Sequence, residues 1–151
     1  MKDVNAFFTL FYIYSTEMNA IEFFKDDRFA EQTGVKLVEI KPGYGKAMMK
    51  ITEHHLNAGH TTQGGAIFTL ADLALAAAAN SHGNLALSLT SNIHFFRTSK
   101  PGDLLYAEAR ERFIHKRTAH YHVDITNQNG ELIADLEATM YRKDSKLPFN
   151  L

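Results

Sequence analysis

"HLNAGHTTQGGAIFTLADLALAAAAN" runs from His55 to Asn80 and changes character halfway. Up to Gln63 it is polar and marked by glycine, which reads as a loop. From Gly64 to about Asn80 it is apolar on every face of a helical wheel, the pattern of a helix buried nearly all round. Alanine supplies much of that helix, having the best helix propensity and letting neighbouring backbones approach closely. Gly64 and Gly65 stand at its entrance, where four backbone N–H groups lack intrahelical partners. One charged residue interrupts it, Asp72.

Both flanks read as β-structure or short helices. Upstream, "VKLVEI" and "GKAMMKIT" alternate in hydrophobicity around "KPGY", a hairpin with a Pro-Gly turn. Before them, "MNAIEFFKDDRFAEQ" (Met18 to Gln32) places Ile21, Phe24 and Phe29 among charges and meets Gly34, so it reads as a short amphipathic helix or helical pair. Downstream, "LALSLTSNIHFF", "DLLYAEARERFI", "AHYHVDITNQ" and "LIADLEATMYR" alternate between the punctuation of "SKPGD", "HKRT" and "NQNGE". Asn129-Gly130 is a strong hairpin signal. A hairpin, one buried helix and four further strands make an α+β chain, packed most economically as a sheet curled around a single central helix.

The 151 residues, with 45% hydrophobic and 22% charged, suit one globular domain with a real core. A net charge of -1 gives no electrostatic footprint for nucleic acid or an anionic membrane. The absence of cysteine excludes disulfides, thiolate metal sites and cysteine nucleophiles, and it agrees with a cytoplasmic location. "AFFTLFYIY" (Ala6 to Tyr14) is too short to span a bilayer and lacks the flanks of a signal peptide. Residues 1–17 read as an N-terminal extension, appended or due to a misassigned start before Met18, whose aromatics pack on the domain or a neighbouring subunit. The domain itself is expected over residues 18–151.

The chemistry starts from Asp72, whose wheel neighbours Phe68, Ala76 and Ala79 are apolar. A carboxylate there needs a partner or a cleft, and burial raises its proton affinity. The N–H groups at Gly65 form a donor site for a carbonyl oxygen gaining negative charge, helped by the helix dipole. Seven residues separate Gly65 from Asp72, roughly 10 Å of rise at about 1.5 Å per residue. Attack and oxyanion stabilisation act within about 3 Å of one atom. Two antiparallel helices across a two-fold axis solve that geometry, so the sequence points to a dimer with composite sites.

"LNAGHTTQGGAIFTLADLALAAAANSHG" resembles the signature of the hotdog-fold acyl-CoA thioesterases, in the phenylacetic-acid-degradation (PaaI-like) branch of the 4HBT superfamily. The resemblance extends from about Asp27 to Arg142, through "NIHFFRTSKPGDLLYAEA" and "HKRTAHYHVDITNQNGELIA". It implies a hotdog fold, an antiparallel sheet of five to six strands around one helix, and hydrolysis of an acyl- or aryl-CoA thioester. It also implies that Asp72 is the catalytic carboxylate, as nucleophile or general base, and that Gly65 N–H polarises the thioester carbonyl. Asn57 would orient the thioester or the attacking water. Gln63, beside Gly64, stands where the family usually carries histidine; it keeps a donor but loses a titratable ring. Ser88 or Thr90 matches the hydroxyl that binds the water. Arg97, Lys100, Lys116 and Arg117, in or beside turns, match basic residues that meet the phosphates of coenzyme A, which is part of the substrate; no separate cofactor or metal is implied. Family members commonly pair hotdog dimers into homotetramers.

Other residues read more plainly. His54, His55 and His60 are spaced as solvated loop histidines rather than ligands, and His120 and His122 share one strand face, most simply a polar one. Phe68, Leu75, Phe95 and Phe96 serve equally as core or as acyl pocket. Two alternatives stand beside hydrolysis: a hotdog dehydratase of 3-hydroxyacyl thioesters, and a non-catalytic acyl-CoA binding or sensing protein.

Overall fold

The computed structural model describes residues 18–151, so the N-terminal extension lies outside the described residues. Two short helices come first, α1 (Ala20–Phe24) and α2 (Arg28–Gln32), capped by the side chains of Asn19 and Asp27. They realise the helical pair expected between Met18 and Gln32. Strands β1 (Val35–Lys41) and β2 (Tyr44–Lys50) follow as the Pro-Gly hairpin, with Gly43 at φ +70°, where glycine alone is unstrained. A 3₁₀ turn (Glu53–His55) and a tight loop lead into α3 (Gly64–Asn80). Then come β3 (Asn84–Phe95), β4 (Leu104–Ile114), β5 (Thr118–Thr126) and β6 (Leu132–Lys146). All six strands form one antiparallel sheet in the order β1-β2-β4-β5-β6-β3. This is the hotdog arrangement, at six strands.

The sheet wraps α3 because both surfaces are built from small residues. Leu70, Ala71, Ala74, Leu75 and Ala78 on the helix meet Ala47, Met49, Leu105, Ala107, Ala109, Val123 and Leu136 from the strands, all buried. Gly45 on β2 marks the closest approach: a Cβ there would lie 2.3 Å from the carbonyl oxygen of Ala74. Serine fixes the far end, where Gly43 N–H donates to Ser81 Oγ at 2.7 Å. The helix is not buried all round, as its sequence suggests. Beyond Gly65, its half-exposed positions are Ala66, Phe68, Thr69, Asp72 and Ala76, which form one stripe along the axis. That stripe is the face the sheet does not cover.

Candidate active site

Gly65 and Asp72 are seven residues apart and so share this stripe, one at the head of the helix and one at its middle. Asp72 is half-buried, and its carboxyl is pushed above the usual carboxylate range, first by loss of water and second by the negative charge of Asp27 on the α1–α2 connection. Among the described residues no hydrogen-bond donor reaches it. A desolvated carboxylate without a donor is a strong base for its class. Asp27 itself was not singled out from the sequence; its only local signal is its place as the α2 cap, where it accepts from Ala30 N–H at 3.0 Å.

The two glycines at the helix head have different reasons to be small. At Gly64 a Cβ would lie 3.0 Å from the ring of Phe95, which packs across the first turn. At Gly65 it would lie 2.7 Å from Oε1 of Gln63. Gln63 is the N-cap of α3, and its side-chain oxygen accepts the Gly65 N–H. The donor expected to meet a substrate carbonyl is thus covered by a neutral side chain of the same loop. Beside it lies a groove of about 560 Å³ between α2, the 3₁₀ turn and α3, lined by Phe29, His54, Leu56, Gln63, Gly65 and Phe68 among others. Phe29, read as an apolar packing position, is 69% exposed because it forms the rim of this groove. Leu75 is fully core, Phe68 lines the groove, and Phe95 and Phe96 flank a smaller hollow with Gly64 and Arg97.

The remaining candidates divide. Asn57 organises the loop before the glycines: its Oδ1 accepts from the N–H groups of Gly59 and Thr61, at 2.9 and 3.2 Å. The tight turn brings His60 to φ 59°. Thr62 and Ser99, both buried, tie this loop to the one after β3 through a 2.7 Å hydroxyl bond. Ser88 and Thr90 fall on opposite faces, because a bulge lies between them. Ser88, though exposed at this edge, stands opposite buried Met140 and donates to its sulfur at 3.3 Å; Thr90, also exposed, stands opposite Thr139. The four basic residues are not gathered within one chain. Arg97 and Lys100 follow β3 near the head of α3, and Arg97 donates to the Leu132 carbonyl at 2.7 Å. Lys116 and Arg117 occupy the β4–β5 turn at the other end of the sheet, where Arg117 pairs with Asp144 at 3.0 Å. On the outer face, His120 meets Thr139 and His122 meets Asp124, both at 3.1 Å, which makes them members of a polar strand face. His55 is not the solvated loop histidine its spacing suggests: its Nδ1 accepts from the Thr52 N–H at 2.9 Å and its Nε2 lies 2.7 Å from the Thr33 carbonyl oxygen.

Comparison with known proteins gives this geometry a family. Residues 59–134, which include Gly64, Gly65 and Asp72, match the Thioesterase superfamily. A protein of Archaeoglobus fulgidus is 39% identical over 125 residues, covering 83% of this chain and 81% of its own. The acyl-coenzyme A thioesterase PaaI of Escherichia coli is 32% identical over 82% of this chain and 89% of its own. Its solved structure superposes with a TM-score of 0.81, at 31% identity, over 85% of this chain and 93% of that one. A Streptococcus mutans protein solved with acetyl-CoA bound superposes at 0.71, with 26% identity, over 75% of this chain and 91% of that one. In sequence and in fold, the chain belongs to the thioesterase superfamily.

Proposed function

We propose that this protein is an acyl-CoA thioesterase, hydrolysing an acyl- or aryl-CoA thioester to the free acid and CoA. The observation that carries the reading is Asp72, a desolvated carboxylate that no donor among the described residues reaches, on the open stripe of α3 and in line with Gly65. The names of the Escherichia coli and Streptococcus mutans proteins support the CoA ester as substrate class. In this reaction the thioester oxygen displaces the Gln63 side chain and takes the Gly65 N–H. Negative charge then grows at the positive end of the helix dipole. Asp72 takes a proton from water as that water attacks the carbonyl carbon, the C–S bond breaks, and the proton passes to the sulfur so that CoA leaves as the thiol; if Asp72 attacks directly, CoA leaves as the thiolate and water then cleaves the acyl–Asp72 anhydride, giving the free acid, its proton going to the thiolate.

The two groups act on one atom only if they come from two chains. The edge strand β3 supports that arrangement. It carries no charge from Asn84 to Ile93 and exposes Leu87 and Leu89, the sort of edge that pairs with another strand. Antiparallel pairing of β3 with a second copy reverses the strand direction across the two-fold axis. It sets the head of one α3 beside the middle of the other, and the Arg97–Lys100 end of one sheet beside the Lys116–Arg117 end of its partner. The basic residues then serve the phosphates of CoA together. Two such dimers would pair as a homotetramer. The test is complementation. Asp72→Asn and Gly65→Pro are each expected to release free thiol from a panel of acyl-CoAs at least about a hundredfold more slowly than wild type. Co-refolded as a mixture, they should regain about a quarter of wild-type activity, since half of the random dimers hold one intact site of two. If the mixture stays as inactive as its parts, the composite site is wrong; if wild type releases no thiol from any CoA ester, so is the hydrolase.

A further inference from the structure

The loop that delivers Gln63 to the start of α3 is a small hairpin closed at its base by His55. Gln63 N–H donates to the His55 carbonyl at 2.7 Å, Leu56 and Thr62 form a bridge, and Asn57 N–H donates to the Thr61 carbonyl at 2.8 Å. The position of His55 therefore sets the position of the helix cap, and through it the direction of the Gly65 N–H. His55 is in turn held by its ring. The backbone N–H of Thr52 donates to Nδ1 at 2.9 Å, and Nε2 lies 2.7 Å from the carbonyl oxygen of Thr33 at the end of α2. These partners admit one protonation state. A backbone N–H can only donate, so Nδ1 is bare; a carbonyl can only accept, so Nε2 carries the hydrogen.

We propose that His55 is a positioning residue of the site: its neutral Nε2–H ring clamps α2 to the hairpin and holds Gln63 and Gly65 against the groove, and protonation opens the clamp. This extends the reading of Gly65 as carbonyl donor and rests on it. A second ring proton would set Nδ1–H against the Thr52 N–H and leave only the Thr52 hydroxyl, 3.3 Å away, to accept it. Among the described residues, the charged and titratable groups around the ring are Lys36 from β1, Lys50 from β2, and Glu53 and His54 from its own turn; α2 and α3 offer only uncharged side chains there. The clamp is thus one of position. His55 touches no reacting atom, and Gly65 and Asp72 keep their roles.

The test begins without substrate. Ring ¹⁵N spectra of the wild-type protein should show the neutral His55 ring as the Nε2–H tautomer, and the Gly65 amide resonance should shift together with the ring resonances as pH is lowered. In His55→Asn, which keeps an acceptor near the Nδ1 position, and His55→Gln, which keeps a donor near Nε2, the Gly65 amide should lose that shift. An Nδ1–H tautomer, or a Gly65 amide indifferent to the titration, overturns the proposal whatever the protein hydrolyses. With a CoA ester that wild type does cleave, both variants should lose about tenfold to a hundredfold in kcat with KM changed less than about twofold. Melting temperatures close to wild type should accompany that loss. Unchanged kcat in both folded variants also overturns it. A wild type that cleaves no CoA ester defeats the functional reading and leaves the spectra to decide the clamp.

Discussion

Taking the Asp72 carboxyl out of water, beside the charge of Asp27, raises its proton affinity in the folded chain. The folded protein then keeps this proton over a pH range in which the unfolded chain has released it. Stability therefore falls as pH rises from the unfolded carboxylate pKa through the raised folded one. Activity runs the other way, since only the ionised carboxylate can act on water. We predict a rate of thiol release that climbs with pH through the raised Asp72 pKa, and an acid limb that moves to lower pH in Asp27→Asn. Asp72→Asn should cut kcat by about a hundredfold to ten-thousandfold. The same variant should melt higher than wild type at neutral pH and not at low pH, where Asp72 is already protonated. A lower melting temperature at neutral pH would show that the charge is compensated and the pKa argument wrong. The sequence made the oddity of this carboxylate legible, because its wheel neighbours are apolar. It could not show Asp27, which reaches Asp72 only through the packing of α2, nor that Gln63 lies across the Gly65 N–H.

The helix–sheet contact is set by absent side chains. Gly45 faces Ala74, Ala77 and Ala78, and a Cβ on it would meet the Ala74 oxygen at 2.3 Å and two further atoms at 2.9 Å. Two of those three atoms are backbone, so relief requires α3 to move away from β2 rather than a rotamer to change. Gly45→Ala should cost about 1–3 kcal/mol in urea unfolding. Because the shift would also move Gly65 and Asp72, kcat should fall more than the loss of folded protein explains; an unchanged unfolding midpoint would refute the close contact. Elements of this kind were largely readable. The Pro42-Gly43 and Asn129-Gly130 turns, the helix bounds and the alternating strands are local signals, and they appear close to where the sequence places them, save that β6 runs past Arg142 to Lys146. Strand order was not, because β3 crosses to the far edge to pair with β6, a contact between residues about fifty apart in the chain. The half-exposed stripe of α3 escaped for the same reason: a wheel shows which residues share a face, not which faces the sheet leaves open.

At the scale of the whole molecule the two sheet edges are built differently. β1 carries Lys36, Glu39 and Lys41 and is flanked by α1 and α2, the usual protection of an edge that stays unpaired. β3 is long and uncharged until His94, with Leu87 47% and Leu89 59% exposed. Such an edge invites a partner, and the inverted order of a second β3 answers two problems at once: the distance from Gly65 to Asp72 within a chain, and the separation of Arg97 and Lys100 from Lys116 and Arg117. Lysine on an edge strand opposes pairing, since its charge would have to enter the joined sheet. The double variant Leu87→Lys with Leu89→Lys is therefore expected to run as a monomer by light scattering. Both side chains are solvent-facing in the protomer, so the circular dichroism spectrum should remain that of wild type. Thiol release should nevertheless disappear, although Asp72, Gly65 and Gln63 are untouched. A folded monomer that still hydrolyses CoA esters would mean one chain holds a whole site, and the head-to-middle pairing of the helices would have to be abandoned. A variant that stays dimeric would move the interface away from β3.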